Sequence, residues 1–274
     1  MSSQLERADV DVELYLGCSL IAAETTAYTT KLMELLDDSD AEHDDIIELV
    51  SADAILVSKI LTLANSAFVG ARRESSNVWD AVRVLGLSMV RNVATLRLFA
   101  MKPDNAELPA GYFEHSVASA AGAAVIASQV GNKVRDAWAI ALMHDLGIVL
   151  MASAEPDRFQ AAQNDSGFSS LAEEHAVFGF GHDDVAAEVL DHLGLPTTLT
   201  SAIREHNADP STGASAMSLT VRAGIALAEQ AGATSCSEPV GNLNELLDAL
   251  DLSVSHDALF AELDEHRSAV AALL

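Results

Sequence analysis

The sequence predicts an all-α fold built from two helical parts, and three observations support this prediction. Apolar residues recur at helical spacing along most of the 274 residues, and no alternating strand pattern stands out. Half of the residues are hydrophobic but only 5% are aromatic, which favours helices packed through small and aliphatic side chains. A short polar segment that contains a proline, residues 102–105, divides the helical pattern into two parts.

The first part, residues 11–101, has the pattern of several short helices. Asp53 precedes an apolar stripe that includes Leu56, Ile60 and Leu63, so we expect this aspartate near the start of a helix. The segment LANSAFVG (residues 63–70) ends that helix, because Asn, Ser and Gly suit a chain reversal. A loop over residues 71–77 follows, and Gly86 precedes a further helix over residues 87–101.

The second part is predicted to contain longer helices. Their predicted ranges are 110–130, 134–153, 169–178, 182–194, 196–206 and 214–232, and two more helices, 242–251 and 255–273, follow a loop over residues 233–241. An apolar run over residues 137–154 carries His144 and Asp145 near its centre. A bilayer-spanning helix needs roughly 20 uninterrupted apolar residues, so the run predicts a buried core helix.

The charge balance is strongly acidic, with 15 Lys and Arg against 41 Asp and Glu and a formal net charge of −26. This charge disfavours direct binding of nucleic acid and of anionic membranes, and it is compatible with basic protein partners. Cys18 and Cys236 form no metal-binding or disulfide pattern, which predicts a reducing compartment. The first 13 residues lack the basic and apolar regions of a signal peptide, so we expect a cytoplasmic protein.

Histidines form the most informative chemical pattern. His115, His182 and His206 each begin or end an apolar stripe with i, i+3, i+4 spacing, which predicts that all three face the core. They would then face the apolar helix that carries His144 and Asp145, and this set suits Mn, Fe or Zn better than Ca. A closed hydrogen-bonded network without metal is the alternative. The remaining histidines are predicted to face solvent: His43, His175, His192, His256 and His266.

Several segments together resemble one known family. They are LANSAFVG (63–70), LMHDLG (142–147), HDDVA (182–186) and AIREH (202–206). The chain resembles the HDOD domain, a bacterial signalling module related to the HD phosphohydrolase superfamily. The resemblance covers residues 25–230, with a first helical part to about residue 102 and an HD-like part from about residue 106. It leaves an N-terminal segment, 1–24, and a C-terminal helical extension, 231–274.

The resemblance implies an all-α HD-like bundle with a site for divalent metal. His115 matches the first histidine of the related hydrolases, and His144 and Asp145 match their His-Asp pair, which holds metal that activates water against a phosphate ester. His182 and His206 resemble the additional histidines of the two-metal HD-GYP phosphodiesterases.

Two features depart from the hydrolase pattern. Ile225 stands where the resemblance places a final aspartate, and Glu229 lies one turn further on. Ile148 follows Gly147, where active members often carry a lysine. Arg204 and Arg222 are the only evident candidates for binding a phosphate. No nucleophile elbow, phosphate-binding glycine loop or HExxH motif is present.

These observations favour a regulatory module that acts mainly through protein–protein contacts and carries a degenerate metal site without catalytic residues. A metal-dependent phosphohydrolase that uses the same cluster is the alternative. A third hypothesis is a metal-binding sensor without turnover. The sequence is compatible with a homo-oligomer and does not identify the partner.

Overall fold

The computed structural model describes residues 10–17, 31–32, 34–36, 38, 41–66, 69, 75–99, 111–164, 167–208, 214–233 and 239–270. Over these ranges the chain is helical with connecting turns, and the only bridge of β type joins Gln163 to Ser169. The predicted all-α fold is therefore confirmed. The predicted dividing segment, 102–105, and both cysteines lie outside the described residues.

The first part contains short helices, as predicted. They are α1 (Val12–Leu16), α2 (His43–Ser51), α3 (Ala54–Ala64), α4 (Val78–Leu85) and α5 (Leu87–Phe99). Asp53 Oδ1 accepts a hydrogen bond of 3.1 Å from the Leu56 amide and so caps α3. The Asn65 side chain closes the chain reversal, because it accepts from the Ser75 amide at 2.6 Å and donates to the Ser75 carbonyl at 2.9 Å.

The second part holds the longer helices. They are α6 (Tyr112–Val130), α7 (Val134–Met143), α8 (Leu146–Ala154), α9 (Pro156–Ala161), α10 (Leu171–Phe178), α11 (His182–His192), α12 (Thr197–Arg204), α13 (Ala216–Gln230), α14 (Leu243–Ala249) and α15 (His256–Val270). Helix α9 was not predicted, although Pro156 at its first position favours a helix start.

The prediction of one helix over residues 134–153 is wrong. Helix α7 ends at Met143, and α8 begins at Leu146 after Asp145 adopts a turn conformation with φ −93° and ψ 11°. By length and composition alone the stretch Val134–Ala154 could cross a membrane, but 83% of its apolar window is buried inside the protein. The interruption turns the chain in the core at His144 and Asp145.

Helices α6 and α13 pack closely against each other in the core. A Cβ atom built on Gly122 would lie 2.1 Å from the Gly224 carbonyl oxygen, so these two glycines allow the backbones to touch. Asn132, just after α6, donates to Thr220 Oγ1 at 3.1 Å near the start of α13, so the two helices run antiparallel. Helix α15 also packs on α6, where Gln129 Nε2 donates to Glu262 Oε2 at 3.0 Å.

Polar contacts join the first part to the second. Arg91 donates to the Gly194 carbonyl at 2.9 Å, and Arg135 donates to the Leu85 carbonyl at 2.7 Å. The buried Tyr15 of α1 donates its hydroxyl to Glu155 Oε1 at 3.0 Å. These contacts, together with the shared apolar core, hold both helical parts in one body.

Candidate metal centre

The structure brings the five predicted cluster residues together in the core. His144 and Asp145 lie at the turn between α7 and α8, His115 on α6, His182 at the start of α11, and His206 just after α12. All five are 0–1% exposed. The apolar stripes that predicted three inward histidines are also buried: Ala118, Ala123 and Ile126 with His115; Val185, Ala186, Val189 and Leu190 with His182; and Leu199, Ala202 and Ile203 with His206.

Asp145 is shared by two groups of side chains. Its Oδ2 lies 3.4 Å from His115 Nε2 and 3.3 Å from His144 Nε2, and these two nitrogens are 3.2 Å apart. Its Oδ1 lies 3.6 Å from His182 Nε2, on the side where His206 completes the second group. Within each group the candidate ligand atoms lie within 4.8 Å of one another.

Backbone carbonyls fix the tautomers of two rings. His144 Nδ1 is 2.7 Å from the Ala141 carbonyl oxygen, and His206 Nδ1 is 2.6 Å from the Ile203 carbonyl oxygen. A carbonyl only accepts, so Nδ1 of each ring carries a hydrogen, and when the ring is neutral its Nε2 lone pair faces the cluster. Burial, followed by the nearby His144 and His182, holds the pKa of His206 well below its usual value, which favours this neutral form.

Glu174 of α10 orients the third ring. Its Oε2 accepts from both the backbone amide of His182 at 2.7 Å and Nδ1 at 2.8 Å, while Ser169 donates to Oε1 at 2.6 Å. Burial alone would lower the pKa of His182, but the Glu174 and Asp145 carboxylates outweigh it and raise this pKa to about 9. The imidazole in turn lowers the pKa of Glu174 despite its burial.

The Asp145 carboxylate fits a bound cation. Burial raises its pKa, but His144, His115 and His182 outweigh this effect and hold the pKa well below the usual range. Among the described residues neither carboxylate oxygen has a hydrogen-bond partner. A buried charged carboxylate is costly unless it is compensated, and imidazole nitrogens with one carboxylate suit Mn, Fe or Zn. The residues present therefore fit a divalent transition metal better than a closed hydrogen-bonded network.

Helix α13 adds no carboxylate to these groups. Ile225 is fully buried, and no residue of α13 belongs to either group within the part of the chain that the structure describes. The final aspartate that the resemblance predicts therefore has no counterpart in the two groups among the described residues.

Three residues near the cluster were not among the predicted site residues. Glu174 shares an i, i+3, i+7 spacing with Leu171 and the buried Phe178, which could have indicated an inward carboxylate. Asn207 places its amide nitrogen 2.7 Å from His206 Nε2, and nothing in its sequence context indicated this. At Gly147 a Cβ atom would lie 1.9 Å from the carbonyl oxygen of residue 182, so glycine allows α8 to contact α11.

The two arginines considered for phosphate binding contact protein groups. Arg204 pairs with Asp184 at 2.5 Å and with Glu188 at 2.7 Å, which links α12 to α11. Arg222 donates through Nε to the Val240 carbonyl at 2.5 Å and through Nη1 to the Ala208 carbonyl. Both guanidinium groups therefore contact protein acceptors in the structure.

The five remaining histidines are distributed on the periphery. His43, His175 and His192 are exposed, as predicted. His256 and His266 are only partly exposed, because α15 packs on the body of the protein, and His266 Nδ1 donates to the Glu262 carbonyl at 2.9 Å.

Comparison with known proteins finds one matching domain family. The family model of the HDOD domain matches residues 24–209. A solved HDOD domain protein of unknown function from Geobacter sulfurreducens has a TM-score of 0.65 at 21% identity and covers 96% of this chain and 98% of its own. A protein from Shewanella amazonensis SB2B, provisionally named a phosphohydrolase, has a TM-score of 0.67 at 16% identity over 94% of this chain and 100% of its own.

Two further relatives are only partly covered. A protein from Marinobacter aquaeolei VT8, provisionally named a signal transduction protein, has a TM-score of 0.61 at 21% identity over 90% of this chain and 58% of its own. An uncharacterised protein from Treponema pallidum is 26% identical over 194 residues, which are 65% of this chain and 36% of that relative. The structural likenesses show a shared fold.

Proposed function

Because the chain belongs to the HDOD domain family, we propose that it is a signal-transduction module that acts by binding other proteins. In this proposal the buried cluster holds divalent metal as part of the folded structure and turns over no substrate. Neighbours that carry the names phosphohydrolase and signal transduction protein share its fold.

The observation that carries the proposal is the complete burial of the cluster. The five side chains are 0–1% exposed, so a phosphate ester has no direct approach to the ligand atoms. A hydrolase needs both its substrate and a water molecule beside the metal. The absence of an α13 carboxylate from the two described groups supports the same conclusion.

The ligands would come from separate helices. His115, His144 and Asp145 would hold one ion, and Asp145, His182 and His206 would hold a second through the shared carboxylate. A divalent ion supplies Lewis acidity and a strong crosslink between its ligands. These side chains would thus fix α6, α11 and the end of α12 to the turn between α7 and α8.

The proposed partners are proteins with a basic surface. The chain carries a net charge of −26, and charge complementarity speeds association and selects partners. The same charge opposes nucleic acid and anionic membrane surfaces, so we propose neither as a partner, and we propose a cytoplasmic location. A partner recovered from cells should bind the purified chain directly and dissociate as the salt concentration rises.

Metal analysis combined with hydrolysis assays tests the proposal. The chain is purified without chelator, its metal content is measured, and it is incubated with Mn or Fe and with cyclic dinucleotides and a chromogenic phosphodiester. We expect bound metal in the wild type, less in His144→Ala, and no hydrolysis above that of His144→Ala. His192→Ala, at an exposed position, is the matched control.

A metal-dependent phosphohydrolase is the second candidate. The cluster is a metal-binding set of a kind that hydrolases also use. Protein acceptors hold the Nδ1 atoms of three rings, and the Asp145 carboxylate has no hydrogen-bond partner among the described residues. Hydrolysis that requires metal and is lost in His144→Ala but retained in His192→Ala would establish this candidate and overturn the first.

A further inference from the structure

Asn207 contacts the second group of the cluster, which is formed by Asp145, His182 and His206. Its side chain is half-buried, whereas His206 and His182 beside it are buried. The amide nitrogen lies 2.7 Å from His206 Nε2 and 3.3 Å from His182 Nε2. The amide group therefore lies directly beside the two ring atoms that would bind metal in the second group.

The Asn207 amide group can contact the cluster both without a metal ion and with one. Because His206 Nδ1 carries the ring hydrogen, its Nε2 accepts a hydrogen bond from the Asn207 amide. A metal ion at this group would take the same lone pair, so the hydrogen bond and the ion exclude each other. A half-turn of the amide, whose terminal torsion is broad and roughly two-fold, exchanges its nitrogen for Oδ1 at that place.

The backbone around Asn207 is anchored on both sides. His206 is held by its own ring hydrogen bond to Ile203, and the Ala208 carbonyl accepts from Arg222 Nη1 of α13. Ser218 of the same helix donates to the Glu205 carbonyl at 2.8 Å. These contacts keep the side chain at the cluster without involving its amide group.

We propose that Asn207 is a further metal ligand, binding through Oδ1 to an ion held by Asp145, His182 and His206. This inference rests on the proposed metal binding. It assigns a neutral oxygen donor to a group that contains only one carboxylate and receives none from α13. Amide oxygens are accepted ligands of divalent cations, whereas the amide nitrogen is a donor and does not ligate.

Titration of single variants with Co²⁺ and Zn²⁺ tests this assignment. Absorption of the Co²⁺ form reports its coordination, and competition with a chromophoric chelator gives each affinity and the number of ions. Asn207→Ala should lower the affinity for one ion by about ten-fold or more and change the Co²⁺ spectrum. Asn207→Asp retains an oxygen at the same place, so it should retain the second ion and bind it at least as tightly as wild type.

The matched control is Asn244→Ala, at an exposed position on α14. Circular dichroism and thermal unfolding show whether each variant is folded. If Asn207→Ala is not folded, Asn207→Asp provides the test. A wild type that binds no metal overturns the proposed function. If the wild type binds metal but Asn207→Ala has the same affinity and spectrum, only the role of Asn207 is overturned. Loss of the second ion in Asn207→Asp has the same consequence.

Discussion

Glu174 binds His182 at two points, since the same carboxylate accepts from the backbone amide at 2.7 Å and from ring Nδ1 at 2.8 Å. The first contact fixes the start of α11, and the second fixes the ring orientation. His182 Nε2 then faces Asp145 Oδ1 at 3.6 Å. A carboxylate that holds the far nitrogen of a histidine in this way orients the ring and increases its basicity as a metal ligand.

Replacing Glu174 should therefore weaken metal binding without removing a ligand. We expect Glu174→Ala to lower metal affinity by about 10–100-fold, since the ring loses its orienting acceptor. Glu174→Gln keeps one oxygen acceptor and should lose less. Competition titration with a chromophoric chelator measures both variants. Equal affinity in wild type and Glu174→Ala would contradict the orienting role.

Asp145 is the residue whose loss should affect both metal groups. Asp145→Asn keeps the side-chain volume but removes the negative charge that the two groups share. A ligand that binds only the folded state stabilises it by about 2.7 kcal/mol at roughly 100 times its Kd, so a chelator should lower the wild-type Tm by roughly 5–10 °C. The Tm of Asp145→Asn should not respond to the chelator.

Asp248→Asn is the control for this measurement, because Asp248 is exposed on α14. It should respond to the chelator as wild type does. A wild-type Tm that is the same with and without chelator, after metal has been added in excess, would argue for a hydrogen-bonded network instead of a metal site.

Helical periodicity was sufficient to predict most of the cluster. His115, His182 and His206 each share a face with aliphatic residues, and a face of that kind must be buried whatever its partners are. Because one interior receives all these faces, the convergence on His144 and Asp145 could be predicted without knowing the packing.

The remaining features depend on contacts between distant segments. The turn at Asp145 is not evident from the sequence, because residues 137–146 contain no glycine or proline and, apart from His144 and Asp145, consist of apolar residues that suit a helix. Glu174 and Asn207 are polar residues that both contact His182 on another helix, so their own spacing does not identify this partner. Arg204 and Arg222 are phosphate-binding candidates because of their charge, and the sequence does not reveal the protein groups that they contact.

Gly147 should be intolerant of any side chain. A Cβ atom there would lie 1.9 Å from the carbonyl oxygen of His182, which is a backbone atom and cannot rotate away. Gly147→Ala must separate α8 from α11 and so move His182 away from Asp145. We expect a loss of about 1–3 kcal/mol in unfolding free energy, measured by urea denaturation, together with reduced metal content.

Gly131→Ala provides the comparison. Its Cβ would meet none of the described residues within 4 Å, although φ is 70°, so only the backbone conformation is penalised. Gly131→Ala should lower the unfolding free energy by roughly 1–2 kcal/mol and leave metal binding unchanged. A Gly147→Ala protein with wild-type metal content would show that the contact between α8 and α11 does not position the site.

Tyr15 should make the stability of the fold sensitive to alkaline pH. Burial, the hydrogen bond to Glu155 and the charge of Glu155 together raise the pKa of Tyr15 far above its usual value. In the unfolded chain the phenol ionises near pH 10, so its contribution is complete below about pH 10 and is lost as pH rises further.

Tyr15→Phe removes this titration and one hydrogen bond, which is worth about 1 kcal/mol near neutral pH. Urea unfolding from pH 7 to about pH 11 should therefore show the two proteins converging as pH rises, because only the wild type loses the Tyr15 contribution. A constant difference across this range would mean that Tyr15 ionises in the folded protein as it does in the unfolded chain.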